Sequence, residues 1–277
     1  MVRRRRSVIG TAVALAVMLA LWACGGTADP QGATVRHYTL DSRLTHGERP
    51  QTLVIPRGSD GHGRPLLVIL HGRGGDGEDS NLKAGFFAGL RRLGTRAPVV
   101  LFPNGSDHSY WHDRRDGAWG RYVLREAIPA ALRRSGADPS RIAIGGVSMG
   151  GYGALNLARL APRRFCAVGA HSPALWATPA ERWVHDAFDG AADYGRNDVV
   201  TLARRDPAAF AGLPVWVDAG QDDPFRSGVD AFTGALRAGG VPVAAHAWPG
   251  AHESSYWNDH WPDYLAWYGR RLASCRR

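Results

Sequence analysis

Short, uninterrupted apolar runs recur along this chain at helix-length intervals. They occupy residues 65–70, 99–102, 142–145, 165–170, 214–217 and, less purely, 241–248. Runs this pure suit strands buried on both faces of a parallel sheet. Between them, residues 81–93, 122–134, 152–160, 229–238 and 256–272 place apolar positions at helical spacing. Strands alternating with helices predict an α/β fold with a mostly parallel, doubly wound sheet. Ahead of these, 35–40 and 51–55 alternate enough to be opening strands around a polar turn at 44–49. Residues 174–212 break the rhythm with prolines and scattered charges, and predict an insertion near the carboxyl edge of the sheet. No internal repeat is visible.

The chain has 277 residues, and its start does not read as part of that domain. Arginines 3–6 form a charged cluster, 8–20 is uncharged and mostly apolar, and Leu21-Trp22-Ala23-Cys24 follows. The segment is short for a membrane span and reads as a cleaved export signal, 1–24. Followed by Gly25-Gly26, it resembles a bacterial lipoprotein box, in which Cys24 is acylated and tethers the protein to the membrane. A plain secretory peptide cut nearby is the alternative, and the paired arginines also permit a twin-arginine route. Residues 25–34 read as a flexible tether, and 35–277 as one catalytic-size domain. With Cys24 acylated, Cys166 and Cys275 remain. In an oxidising compartment they are available for a disulfide, the alternative being a buried free Cys166 and an exposed Cys275.

Net charge is +9, almost all from arginine, with Lys83 the only lysine. The arginines are dispersed and no nucleic-acid motif accompanies them, so no nucleic-acid partner is expected. The chain also holds 10 tryptophans, enough for a large core or a wide aromatic cleft.

Gly146-Val147-Ser148-Met149-Gly150 is a G-x-S-x-G pentapeptide. It lies between a predicted buried strand and a predicted helix, the context an α/β-hydrolase nucleophile elbow requires. The glycines remove the Cβ clashes that would forbid the turn, and the helix start favours negative charge. A serine hydroxyl needs a base, and the base an orienting acid. In this fold they follow in the order Ser, acid, His. His252, in the loop between the last strand and the last helix, is the expected base. His246 lies within a strand and His260 too far along the last helix. For the acid, Asp223 fits best, ahead of Pro224. Asp222 is the runner-up, and Asp218 reads as a turn stabiliser.

An oxyanion needs two backbone N–H donors. Met149 supplies one, and Arg73, in His71-Gly72-Arg73-Gly74-Gly75, the other. His71 falls too early to be the base and is expected to brace its loop. The run 104–112 follows a strand, and Trp111 and Trp176 are expected to wall the pocket. His108, His112, Asp113 and Asp116 match no zinc spacing, and neither a metal nor a cofactor is expected.

The stretch from Arg141 to Leu155, with Phe165-Cys166-Ala167-Val168, Ser172-Pro173-Ala174-Leu175, Leu70-His71-Gly72 and 250–257, resembles the esterase family that takes in esterase D, formylglutathione hydrolases, feruloyl and acetyl-xylan esterases and mycolyltransferases. The resemblance covers most of 64–265. It implies Ser148 as nucleophile, Asp223 as acid, His252 as base, and cleavage of small-molecule, polysaccharide or lipid esters through an acyl-enzyme. Mycolyltransferases of that family carry a Glu acid and lack the second glycine after Ser-Met. Asp223 and Gly150-Gly151 therefore point to hydrolysis, with acyl transfer to a sugar or envelope lipid as the alternative. Formylglutathione hydrolases are usually cytosolic, and the export signal argues against that substrate.

Overall fold

The computed structural model describes residues 29–74, 80–178 and 187–275. The expected export signal, the lipidation candidate Cys24 and residues 25–28 of the tether lie outside the described residues. Within 29–34 the chain turns at Gln31-Gly32 and enters the first strand at Thr34.

Strands β1 (Thr34–Ser42) and β2 (Gly47–Ile55) form the opening antiparallel hairpin. Its turn is tighter than the predicted 44–49, because pairing extends to Ser42 opposite Gly47. β3 (Leu66–Leu70) and β4 (Val99–Pro103) follow. β5 (Asp113–Arg114) and β6 (Gly117–Ala118) make a small separate hairpin. β7 (Ile142–Val147), β8 (Val168–His171), β9 (Val215–Gly220) and β10 (Val243–Trp248) complete the sheet. The order across its eight strands is β1-β2-β4-β3-β7-β8-β9-β10. From β4 to β10 every neighbouring pair is parallel. The predicted strand 165–170 is shorter and later than expected, because Phe165 to Ala167 only approaches the sheet, with the Cys166 N–H donating to the Ile142 carbonyl.

Helix α1 (Ala84–Arg92) follows β3. α2 (Trp119–Tyr122) passes through one wide turn, 123–127, into α3 (Ile128–Ser135), so the predicted helix 122–134 starts earlier and is continuous. α4 (Met149–Leu160) follows β7. The insertion supplies α5 (Ala191–Asn197) and α6 (Val199–Arg205), whose N-terminus Asp198 caps by accepting from the Val200 and Thr201 amides. α7 (Arg226–Ala238) and α8 (Ser254–Ser274) end the domain.

The apolar runs are continuous because both sheet faces are covered. Leu66, Val68, Leu70, Ile142 and Ile144 pack with Ala131, Leu155, Phe232 and Leu236 from α3, α4 and α7. Leu67, Ile69, Ala143 and Val147 point the other way, against Phe86, Phe87 and Leu90 of α1 and Trp261, Leu265 and Tyr268 of α8. The period of two along each strand divides its side chains between the two layers. Cys166 and Cys275 are disulfide-bonded, with Cα atoms 5.6 Å apart. The free-thiol alternative therefore does not apply. The bridge fastens the end of α8 to the entry of β8.

Candidate active site

The loops after β3, β7, β8, β9 and β10 all leave the same carboxyl edge of the sheet, where α/β folds place their sites. Ser148 sits between β7 and α4 with φ 55° and ψ −116°, a backbone conformation rarely adopted by a residue with a Cβ. Close packing enforces it. A Cβ on Gly150 would run into the Leu70 carbonyl, and one on Gly146 into the backbone of Gly150. The Ser148 N–H donates to the His171 carbonyl at 2.9 Å, and the Ser148 carbonyl accepts from the Tyr152 and Ala174 amides, each at 3.0 Å.

Three side chains from distant loops meet there. Ser148 Oγ lies 2.8 Å from His252 Nε2, and His252 Nδ1 lies 3.0 Å from Asp223 Oδ2. The Asp223 side chain is fully buried, whereas that of His252 is 21% exposed, open enough to meet a substrate. Asp223 Oδ1 accepts from the Phe225 amide at 2.9 Å, so both carboxylate oxygens are held. Burial by itself makes the Asp223 carboxyl harder to ionise. The hydrogen bond and charge of His252 and the Phe225 amide outweigh it and hold the carboxyl below its ordinary range. Asp222 is exposed and contributes only its amide, donating to the Gly250 carbonyl at 3.0 Å. Asp218 is fully buried and does more than stabilise a turn, because its carboxylate joins a network beneath the site.

Met149 opens α4, so its N–H has no acceptor within the helix. The loop after β3 passes against the serine, and a Cβ on Gly72 would stand 3.4 Å from the Ser148 Cβ. Arg73 follows in that loop. His71 braces it: Nδ1 donates to the Gly72 carbonyl at 2.7 Å, and Nε2 accepts from the Gly105 amide at 2.8 Å. Burial pushes the His71 imidazole down to about 4, against the Gly72 hydrogen bond and the charge of Asp107. It is therefore neutral at pH 7, as one donating and one accepting nitrogen require.

Two expectations need correction. Trp111 is fully buried and walls no open cleft. Tyr110 and Trp111 adopt left-handed backbone, with φ 49° and 56°, which turns the run inward. The Trp111 indole donates to the His71 carbonyl at 3.1 Å, so it supports the loop from below. Trp176 is also buried, among Tyr110, Tyr152, Phe188 and Phe225. The aromatic rings that do flank His252 are Phe225 and Trp257, each edge-on at 5.1 Å between centroids. Their signal in the sequence was adjacency: one follows Asp223-Pro224, and the other lies five residues after His252, in the first turn of α8. The His/Asp cluster disperses, with His112 on Asp193, Asp113 on Arg121 and Asp116 on Trp119. Among the described residues no three His, Cys, Asp or Glu side chains are placed to hold a metal.

Solved structures share this architecture. A ferulic acid esterase superposes with TM-score 0.75 at 22% identity, over 86% of this chain and 99% of that one. An S-formylglutathione hydrolase from Agrobacterium tumefaciens superposes with TM-score 0.75 at 21% identity, over 89% and 98%. At such identities the likeness establishes the α/β-hydrolase fold. Among curated proteins, an esterase of Mycobacterium tuberculosis is 25% identical over 229 residues, covering 70% of this chain and 50% of that protein. The chain thus spans about half the length of that relative. The iron(III) salmochelin esterase of Escherichia coli O6:H1 is 38% identical over 91 residues, 30% of this chain and 22% of that one. Residues 42–268 match the family model described as Putative esterase, and the chain belongs to that family.

Proposed function

We propose that this chain is an exported serine esterase that cleaves carboxylic esters through an acyl-enzyme on Ser148. The observation that carries this reading is the unbroken line from Asp223 Oδ2 through His252 to Ser148 Oγ. His252 Nε2 takes the hydroxyl proton as Oγ attacks the ester carbonyl, and Asp223 holds the imidazole tautomer and stabilises the imidazolium. The amides of Met149 and Arg73 receive the oxyanion. His252 protonates the departing alcohol, then activates a water that releases the acid and restores Ser148. Removal of the Ser148 hydroxyl should abolish both nitrophenyl ester hydrolysis and labelling by a fluorophosphonate probe. A Ser148→Ala protein that still turned over or was labelled in the same place would end the proposal. Ferulic acid and salmochelin esters, named in relatives, are the first natural substrates to assay. A sugar acceptor added to the same assay separates hydrolysis from acyl transfer, because only a transferase makes the new ester faster than free acid.

Export and lipid tethering at Cys24 belong to the same proposal. The charged and apolar pattern of 1–24 supports them, and so does the Cys166–Cys275 disulfide, a bond that persists in oxidising compartments. Cys24→Ser should move the enzyme from the membrane pellet to the soluble fraction. Retention in the pellet would remove the tether from the reading.

A further inference from the structure

Beneath Ser148 and His252 lies a second histidine–carboxylate pair that the proposed chemistry does not use. His171 and Asp218 are neighbours across β8 and β9, and both are fully buried. Asp218 Oδ1 lies 2.7 Å from His171 Nδ1 and accepts from the Trp216 indole at 2.7 Å. Oδ2 accepts from the Tyr264 hydroxyl at 2.7 Å and the Tyr256 hydroxyl at 3.2 Å. On the far side, His171 Nε2 meets the Tyr268 hydroxyl at 3.1 Å, and Tyr264 stacks on the imidazole at 3.6 Å between centroids. Every lone-pair direction of the carboxylate is therefore taken by a donor, a charge-assisted arrangement with one low-energy geometry.

The donors come from the two bodies that must be aligned for Ser148 to meet His252. His171 grips Asp218 with its ring while its carbonyl holds the Ser148 amide. The Asp218 carbonyl in turn accepts from the Ser172 amide at 2.7 Å. On the other side, Tyr256 lies in the first turn of α8, directly after the loop that carries His252. Gly250 of that loop, at φ 128°, tucks under the Tyr256 ring, where a side chain would collide. The loop is also tied to the Asp223 loop, since the Gln221 and Asp222 amides donate to the Trp248 and Gly250 carbonyls.

We propose that Asp218 is a positioning residue, a buried carboxylate that sets the alignment of Ser148 and His252 by joining the strand end beneath the serine to the helix behind the histidine. The inference rests on the reading of those two residues as nucleophile and base. A positioning defect of about 1 Å can cost on the order of 100-fold in turnover without weakening substrate binding.

The test uses the full chain and a nitrophenyl ester. Ser148→Ala is measured first, because activity in that variant would defeat the underlying reading and leave the role of Asp218 a separate matter of fold. Given an inactive Ser148→Ala, Asp218→Asn presents an amide NH2 to a cage of donors. It should lower kcat roughly 10- to 100-fold with KM within about twofold. Tyr256→Phe cuts the one of the two links from Oδ2 to α8 that lies nearest the His252 loop, leaves the Tyr264 bond, and should lower kcat about tenfold, again with KM held. It carries the test if Asp218→Asn does not fold. The control is Tyr122→Phe, which deletes a buried hydroxyl that bonds Gln51 Nε2 at 2.6 Å, remote from the triad. It should lower the melting temperature comparably and leave kcat at the wild-type value. Wild-type kcat in Tyr256→Phe, or a rise in KM with kcat unchanged, would overturn the proposal.

Discussion

Asp222 and Asp223 are adjacent carboxylates in opposite surroundings. One is exposed, and the other is buried with both oxygens occupied by His252 and the Phe225 amide. Asp223→Asn should therefore lower kcat by about four orders of magnitude, because the amide no longer enforces the productive imidazole tautomer. Asp222→Asn should stay within roughly twofold, since an exposed carboxylate away from the reacting atoms contributes little. Equal losses in steady-state kinetics would show that the acid has been misassigned. His71 makes a second prediction. An unfolded chain protonates this residue near its ordinary value of 6.5, but the native protein resists until about 4. Between those values the unfolded state binds more protons, so stability is full above about pH 6.5 and falls as pH drops toward 4. The loss is on the order of 3 kcal/mol. Burial also lowers His112 despite its Asp193 partner, which adds to the same slope. Urea midpoints at pH 7 and 4.5 should thus converge partly in His71→Gln, whose carbonyl can still accept from Gly105. An unchanged pH slope would show that His71 titrates normally.

Element types, chain order and the carboxyl-edge location of the site were legible because both-face burial makes strands apolar throughout and helices keep their period. That Ser148, Asp223 and His252 would meet was legible because each sits just past a strand end. Side-chain direction inside loops was not. Trp111 follows a strand as a pocket wall would, but the left-handed backbone at Tyr110 and Trp111 sends the indole inward. The space it fills exists because Gly105 and Gly153, on separate elements, lack side chains that would strike the ring. The Asp218 cage was illegible for a related reason. Its donors, at 171, 216, 256 and 264, meet only after β8, β9 and α8 have packed. The correction on Trp111 has its own test. Trp111→Phe removes the bond to the His71 carbonyl and leaves a gap under the loop. It should cost roughly 1–3 kcal/mol of stability and lower kcat modestly. Because the ring touches no open cleft, relative rates across a chain-length series of nitrophenyl esters should stay constant. A changed chain-length preference would return Trp111 to the pocket wall.

At the scale of the whole molecule, one helix connects the site to the periphery. α8 begins just past His252, contributes Tyr256 and Tyr264 to the Asp218 cage, and is followed directly by Cys275. The disulfide to Cys166 spans 109 residues of sequence and fixes the far end of that helix at the entry of β8. A cross-link over so long a segment restricts mainly the unfolded chain, and its removal should cost about 2–4 kcal/mol. For a domain of this size that corresponds to a fall in melting temperature of roughly 5–15 °C. The near end of α8 is held independently by the buried tyrosines, so the far end can loosen without moving His252. Cys275→Ser should therefore melt early yet keep wild-type kcat at 25 °C, and reductant should bring the wild type to the same melting temperature. If loss of the bridge instead lowered kcat in step with stability, the two ends of α8 would be mechanically coupled. If denatured, unreduced protein showed two reactive thiols, the bridge would not have formed in the protein as made, and the case for an oxidising compartment would lose its structural support.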